Sequence, residues 1–193
     1  MCCLFGFIDY NHNLSGKQKN RLLRSLASAA EERGTDAAGI AYHAGGRLHI
    51  MKKAKPAHVL RFRIPLETSV VMGHTRYATQ GDAKKAYNAH PFQGQIGNKK
   101  FALAHNGVLL NDRLLQQAED LPKTHIGTDS YVAVQLLEKQ NALNFNSLRK
   151  VAEQVQGIEG AGAFRKKSHQ AGLFSVRVLT SSTLISNASA ISS

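Results

Sequence analysis

The only two cysteines of this 193-residue chain fall within its first three positions, in "MCCLFGFIDY". Cytosolic aminopeptidases remove an initiator methionine when the next side chain is small, and Cys2 qualifies. Cleavage would make Cys2 the terminal residue, with its thiol and its own α-amine on one carbon framework. An α-amine titrates near ~7.7–8.0, so it can take the thiol proton close to neutral pH, directly or through a water. A nucleophile of this kind carries its base with it. The competing reading of Cys2 is a small buried hydrophobe at the head of a strand.

Three further stretches hold residue types that could serve such a nucleophile. "GHTRYATQG" (73–81) sets Arg76 at a strand end, followed by Thr79 in a glycine-flanked loop. An arginine there can hold a carboxylate with a two-pronged hydrogen bond. "AHNGV" (104–108) offers the Asn106 amide and the Gly107 N–H to a developing oxyanion, and it reads equally as a hairpin turn. "GTDS" (127–130) offers Asp129 as a partner for an ammonium group, or as a helix cap. Taken singly, each stretch reads as structural. Taken together they supply a nucleophile, an oxyanion hole, a carboxylate clamp and an amine clamp. That set suits an α-amino acid with an amide in its side chain.

Secondary structure has to bring these residues together. Residues 3–8 read as a strand. Ser15 and Gln18 match a capping box, and Leu22, Leu23, Leu26, Ala29 and Ala30 recur behind them at helical spacing. Gly34 is expected to close that helix. "AGIAY" (38–42) and "RLHIM" (47–51) flank "HAGG" as a hairpin, and 69–74 form another strand. Residues 101–105 and 108–110 flank Asn106-Gly107, a strong two-residue hairpin signal. Thr128 or Asp129 is expected to cap a helix over 130–140, and Asn146 one over 147–156. Strands that outnumber helices and arrive as hairpins predict an α+β fold, its sheet mainly antiparallel with helices on the faces.

Composition narrows the class. The hydrophobic fraction is 42% and the charged fraction 20%, as in a soluble globular chain. No apolar run reaches the ~20 residues of a membrane span, and "CLFGFI" is too short for a secretory signal, so a cytoplasmic protein with no membrane partner is expected. The formal net charge is +12. Basic clusters at 17–24, 51–55, 61–63 and 164–167 lack a nucleic-acid motif or interleaved aromatics, so they read as a solvated surface and not as a specific nucleic-acid site. The histidines at 12, 43, 49, 58, 74, 90, 105, 125 and 169 lack metal-ligand spacing and read as surface or core residues. No metal and no cofactor are expected.

Five blocks in one order carry a resemblance to a known family: "MCCLFGF", "RGTDAAGIA" (33–41), "GHTRYATQG", "LAHNGVLLN" (103–111) and "GTDSYVAVQLLE" (127–138), with "NAHPF" (88–92) between the third and fourth. The chain resembles a class II glutamine amidotransferase domain of the N-terminal-nucleophile (Ntn) hydrolase superfamily over about residues 1–157. The resemblance implies a four-layer αββα sandwich, two mainly antiparallel sheets between helical layers. It implies that Cys2 attacks the glutamine side-chain amide, giving a γ-glutamyl thioester and ammonia, and that water then releases glutamate. Asn106 and Gly107 would form the oxyanion hole. Arg76 would hold the substrate α-carboxylate, helped by Thr79 and Gln80. Asp129 would hold the α-ammonium, with Gly107 also lining the pocket. A separate ammonia-accepting synthase is the implied partner, with release of free ammonia as the other outcome. The alternative is a non-catalytic glutamine- or partner-binding module of the same fold.

Two departures from the family pattern stand out. Cys3 occupies a position where the family usually has Gly, and its β-carbon is either a crowding neighbour of Cys2 or a small core residue. From about Gly160 the chain turns Gly-, Ala- and Ser-rich and leaves the family's continuation, as a truncated or frame-shifted terminus would. The amidotransferase domain is therefore expected over 1–160, with an atypical segment over 161–193. That segment is expected to hold a strand within 173–179 and a loosely held end beyond it, leaving the C-terminal part of the sandwich incomplete.

Overall fold

The structure is a computed structural model that describes residues 2–158, 176–179 and 184–187. Its elements in chain order are β1 (Cys3–Ile8), α1 (Gly16–Glu31), β2 (Ala37–Ala44), β3 (Arg47–Lys53), α2 (Ala57–Leu60), β4 (Val70–Arg76), β5 (Phe92–Ile96), β6 (Lys99–His105), β7 (Val108–Leu109), α3 (Asp112–Ala118), α4 (Tyr131–Lys139), α5 (Phe145–Gln154), β8 (Gly157–Ile158), β9 (Val176–Leu179) and β10 (Leu184–Asn187). One sheet runs β1-β4-β2-β3 and a second β10-β9-β6-β5, with β7 and β8 paired separately. Every pairing is antiparallel.

Side-chain alternation along the strands builds the layers, because neighbours in a strand point to opposite faces. Phe5, Ala38, Ile40 and Val71 pack on the helical side of the first sheet against Leu23, Ala27 and Ala30 of α1. Ala41 and Met72 point the other way and meet Ala102 and Ala104 of β6, with Leu4, Leu48, Ile50 and Val70 packed against them. On the outer face of the second sheet, Phe92, Phe101 and Leu103 pack on Val132, Ala133 and Leu136 of α4 and on Leu148 and Val151 of α5. Each large apolar side chain fully buried there stabilises the fold by roughly 1.5–3 kcal/mol. The result is helix, sheet, sheet, helix, the αββα sandwich that the family resemblance implies.

The local signals have mixed outcomes. The Ser15–Gln18 capping box starts α1, and Gly45 and Gly46 turn the β2–β3 hairpin with φ of 55° and 70°. Gly34 does not end α1 in a left-handed cap. It lies where a β-carbon would sit 2.5 Å from the Arg76 carbonyl carbon, so its role is close approach to the end of β4. Asn106-Gly107 is not a hairpin turn: β6 pairs with β5 and β9, while β7 pairs with β8. Ser130, without a side-chain cap bond, precedes α4 in place of Thr128 or Asp129. Asn144, in a capping box with Ser147, starts α5 two residues before the expected Asn146. In the atypical tail, β9 extends the second sheet beside β6 and β10 follows it. The other residues expected to form a loosely held end lie outside the described residues.

One member of the basic cluster at 17–24 is not on the surface. Lys19 is 1% exposed. Its Nζ donates to the Leu66 and Thr68 carbonyls, each at 2.8 Å, and lies 3.1 Å from Asp9 Oδ2. The Asp9 carboxylate also accepts from the Asn13 and Leu14 backbone N–H groups at 3.0 and 3.3 Å. Burial pushes the Asp9 carboxyl up, but Lys19 and the two N–H donors more than offset this and hold it below the ordinary carboxylate range. This knot ties the end of β1 and the first turn of α1 to the segment leading into β4. Lys19→Met leaves the Asp9 carboxylate with only its two N–H donors and should lower the urea midpoint of unfolding measurably. An unchanged midpoint would mean that the pair is solvated.

The core also holds three histidines. The rings of His74 and His90 lie 4.3 Å apart, and His90 lies 4.4 Å from Phe92. Burial pushes His74 down to about 3, with the neighbouring His105 adding to the effect. Burial pushes His105 to about 4 and takes His90 well below its ordinary value. All three are neutral in the fold at pH 7, and unfolding restores their ordinary proton affinity. The unfolded chain therefore binds more protons below pH ~6.5, and stability is lost as the pH falls from there through about 4 and toward 3. His74→Leu should unfold at nearly the wild-type temperature at pH 7 and resist acid better at pH 5. Parallel melting curves of the two proteins across this range would exclude His74 as an acid-sensitive group.

Candidate active site

The β1–β4 register brings Cys2 to the site. Pairing runs from Ile8↔Val70 to Cys3↔Thr75, so the residue before Cys3 meets the end of β4. The Tyr77 N–H donates to Cys2 Sγ at 3.4 Å, and the thiol lies 3.5 Å from the Tyr77 carbonyl. Burial pushes the Cys2 thiol up, the Tyr77 hydrogen bond and the Arg76 charge oppose this, and Asp129 adds to it. The thiol is thus held in its protonated form at neutral pH. Cys3 packs with the α1-side core beside Phe5 and Phe7, whereas Leu4 packs between the sheets. Alternation therefore puts the Cys3 side chain on the face opposite that of Cys2, where it does not crowd the thiol. Both cysteines are free.

Arg76 ends β4 and is 2% exposed. Its Nη2 donates to the Gln80 carbonyl and, at 3.3 Å, to the Gly81 carbonyl, curling the following loop around the guanidinium. Among the described residues its buried Nη1 has no hydrogen-bond partner. Burial lowers its pKa, and the nearby Cys2, Asp36, Asp129 and Asp82 oppose that shift. Thr79 is exposed on this loop, and Gln80 is half-buried. The loop backbone is held from behind: Asp36 N–H donates to the Arg76 carbonyl at 3.0 Å, and Asp36 Oδ2 accepts from Ala78 N–H at 2.7 Å.

Asn106 and Gly107 form the half-buried link between β6 and β7. Asp129, buried just before α4, reaches this link: its Oδ2 accepts from Leu109 N–H at 2.5 Å, and Ser130 Oγ lies 3.4 Å from its Oδ1. Ser130 Oγ also pairs with His105 Nδ1 at 2.9 Å. Burial raises the Asp129 pKa, while the Leu109 and Ser130 bonds oppose the shift. The carboxylate thus serves β7 and not the helix cap that the sequence also allowed.

Arg76 and Asp129 both act on the Cys2 thiol, and Asp129 reaches β7, just after the Asn106-Gly107 link, through the Leu109 N–H. Thr79 and Gln80 lie on the loop beside them. Sequence reasoning gave no part to Tyr77, whose backbone seats the thiol, nor to Asp36 behind the loop. Asp36 stood inside a quoted block, and that was its only signal. Among the described residues, no group of three or more His, Cys, Asp or Glu side chains could hold a metal ion, and no helix is long and apolar enough to cross a membrane.

Comparisons with known proteins bear on the family and the fold. The family model described as glutamine amidotransferases class-II matches residues 1–170. A glutamine–fructose-6-phosphate aminotransferase [isomerizing] from Bacillus cereus is 39% identical over 145 residues, covering 72% of this chain and 22% of its own length. One from Caldanaerobacter subterraneus is 32% identical over 172 residues, 86% of this chain and 27% of its own. The chain thus spans only a minor part of the curated relatives it matches. Among solved structures, the allosteric regulatory enzyme of purine biosynthesis superposes with a TM-score of 0.70 at 19% identity, over 97% of this chain and 37% of that one. A glutamine phosphoribosylpyrophosphate amidotransferase from B. subtilis gives 0.66 at 19% identity, over 97% and 36%. The fold is that of these Ntn-type enzymes, and the chain belongs to the class II glutamine amidotransferases.

Proposed function

We propose that this domain hydrolyses the side-chain amide of glutamine with Cys2 as nucleophile, once Met1 has been removed. The freed α-amine takes the thiol proton as Sγ bonds to the amide carbon. The carbonyl oxygen, now carrying charge, is received by the Asn106 amide and the Gly107 N–H. The C–N bond then breaks, the protonated α-amine returns its proton to the leaving nitrogen, and ammonia departs from a γ-glutamyl thioester. Water, deprotonated by the same amine, cleaves the thioester to glutamate. Arg76 holds the α-carboxylate, with Thr79 and Gln80 beside it, and its unpaired buried Nη1 is the donor that a carboxylate would satisfy. Asp129 holds the α-ammonium, with Gly107 lining the pocket.

The observation that carries this reading is the convergence of the Cys2 thiol with one buried guanidinium and one buried carboxylate. A zwitterionic amino acid needs that charge pair beside the nucleophile. We assign the amidotransferase unit to 1–160, with 161–193 an atypical segment, and place the protein in the cytoplasm. The ammonia passes to a separate acceptor enzyme or is released. The names of the sequence relatives favour an acceptor that aminates a sugar phosphate.

Cys2→Ala should abolish glutamine hydrolysis while leaving the circular dichroism spectrum and melting temperature nearly unchanged. Intact-mass measurement of protein from cells should show Met1 absent. Retained Met1, or undiminished turnover by the alanine variant, would rule out the mechanism. Glutamine binding without turnover in a protein lacking Met1 would favour the non-catalytic module.

Asn106→Asp separates transition-state stabilisation from a structural role. The change removes the amide donor and sets negative charge beside the developing oxyanion. Loss of such a donor typically lowers kcat by ~10²–10³. The fall should appear in kcat far more than in KM, since the bond strengthens only as the oxygen gains charge. Wild-type kcat with a lowered melting temperature would move the oxyanion hole elsewhere.

A further inference from the structure

Two loops carry the proposed substrate clamps, and one buried side chain joins them. The loop after β4 holds Thr79 and Gln80 and wraps its carbonyls around Arg76. The segment before α4 carries Asp129. Asn88 is 2% exposed, and its amide faces both. Its Nδ2 donates to the Asp82 carbonyl at 3.1 Å, and its Oδ1 accepts from Gly127 N–H at 2.8 Å. Its backbone carbonyl accepts from Thr128 Oγ1 at 2.8 Å, one residue from Asp129.

The loops also touch directly. A β-carbon on Gly81, where φ is +74°, would lie 3.0 Å from the Gly127 carbonyl group and 3.1 Å from Asn88 Cγ. The Gly81 carbonyl is itself one of the Arg76 acceptors, so contacts run from Arg76 through Gly81 and Asn88 to Gly127, Thr128 and Asp129. Lys52 of β3 seats this joint on the first sheet. Its Nζ donates to the Ala89 carbonyl at 2.6 Å and to the Tyr87 carbonyl at 3.4 Å, on either side of Asn88.

We propose that Asn88 is a positioning residue that couples the carboxylate clamp to the ammonium clamp. The proposal rests on the glutamine-hydrolysis reading above. The α-carboxylate and α-ammonium of an amino acid sit on one carbon, so the substrate fixes the distance between its two partners. Loops that moved independently would have to be ordered at every binding event, at an entropic cost. Joined through Asn88, they hold that spacing before substrate arrives. Both clamps grip parts of the substrate that do not change in the reaction, so the coupling acts on binding and not on the chemical step.

Steady-state kinetics on full-chain Asn88→Ala and Asn88→Asp test this. The alanine variant loses both amide bonds and should raise the glutamine KM about tenfold with kcat near wild type. Aspartate keeps the acceptor for Gly127 and loses the donor to Asp82, so its KM should lie between. Alkylation of Cys2 by iodoacetamide, a reagent with neither α-group, should proceed at the wild-type rate in both. An unchanged KM overturns the proposal, and so does a fall in kcat with KM intact. If the alanine variant fails to fold, the aspartate variant decides by the same criteria. A wild-type protein without glutamine turnover would instead overturn the activity reading. The coupling is then read by hydrogen exchange in Asn88→Ala: faster exchange at Gly127 together with residues 77–85 supports it, and faster exchange at Gly127 alone overturns it.

Discussion

The register of β1 against β4 is the constraint on which the rest of the site depends. Among the described residues the Tyr77 backbone, and no side chain, holds Cys2, and only because the six pairs from Ile8↔Val70 to Cys3↔Thr75 place it there. A slip of one residue would swing every side chain of β1 to the opposite face. Cys3 would then point between the sheets, and Phe5 and Phe7 would leave the α1 core. Gly73 guards against this, since a β-carbon there would lie 2.2 Å from the Phe5 ring. The apolar packing that stabilises the sheet is therefore also what aims the thiol.

A second principle shapes the site: charged and polar groups are buried, and their partners are largely backbone. Arg76 spends one nitrogen on the carbonyls of its own loop, Asp129 holds a β7 N–H, and Lys19 holds two carbonyls. Buried charges persist only when hydrogen-bonded. Each of these side chains thereby fixes a loop that regular secondary structure leaves unfixed. The same low-dielectric interior keeps the His74–His90 pair neutral.

What could be read from the sequence divides along the same line. Signals that act over a few residues were legible: the Ser15–Gln18 box and the Gly45-Gly46 turn form as the pattern predicts. Signals overridden by distant partners were not. Asn106-Gly107 looks like a hairpin because its flanks are strand-like, but β6 pairs with β9, far along the chain. Asp129 looks like a cap, yet Leu109 takes its carboxylate. Gly34 looks like a helix stop, yet what it serves is the passage of β4. The candidate site was legible through ordered motifs, whereas its internal bracing was not. Nothing near Asn88 in sequence indicates that its amide reaches Gly127, a contact that exists only after both sheets are in place.

The position of β1 at the edge of its sheet has a consequence for how the protein is made. Cys2 is synthesised well before the strand that seats it is complete, since that strand ends only at Arg76. At ~5–20 residues per second, several seconds of synthesis separate the two. Throughout that interval the Tyr77 backbone that seats the thiol is not yet in place, and the thiol stays open to oxidants until β4 arrives. The speed of translation between Cys2 and Arg76, and not only the stability of the finished fold, helps to set how many molecules carry an intact cysteine.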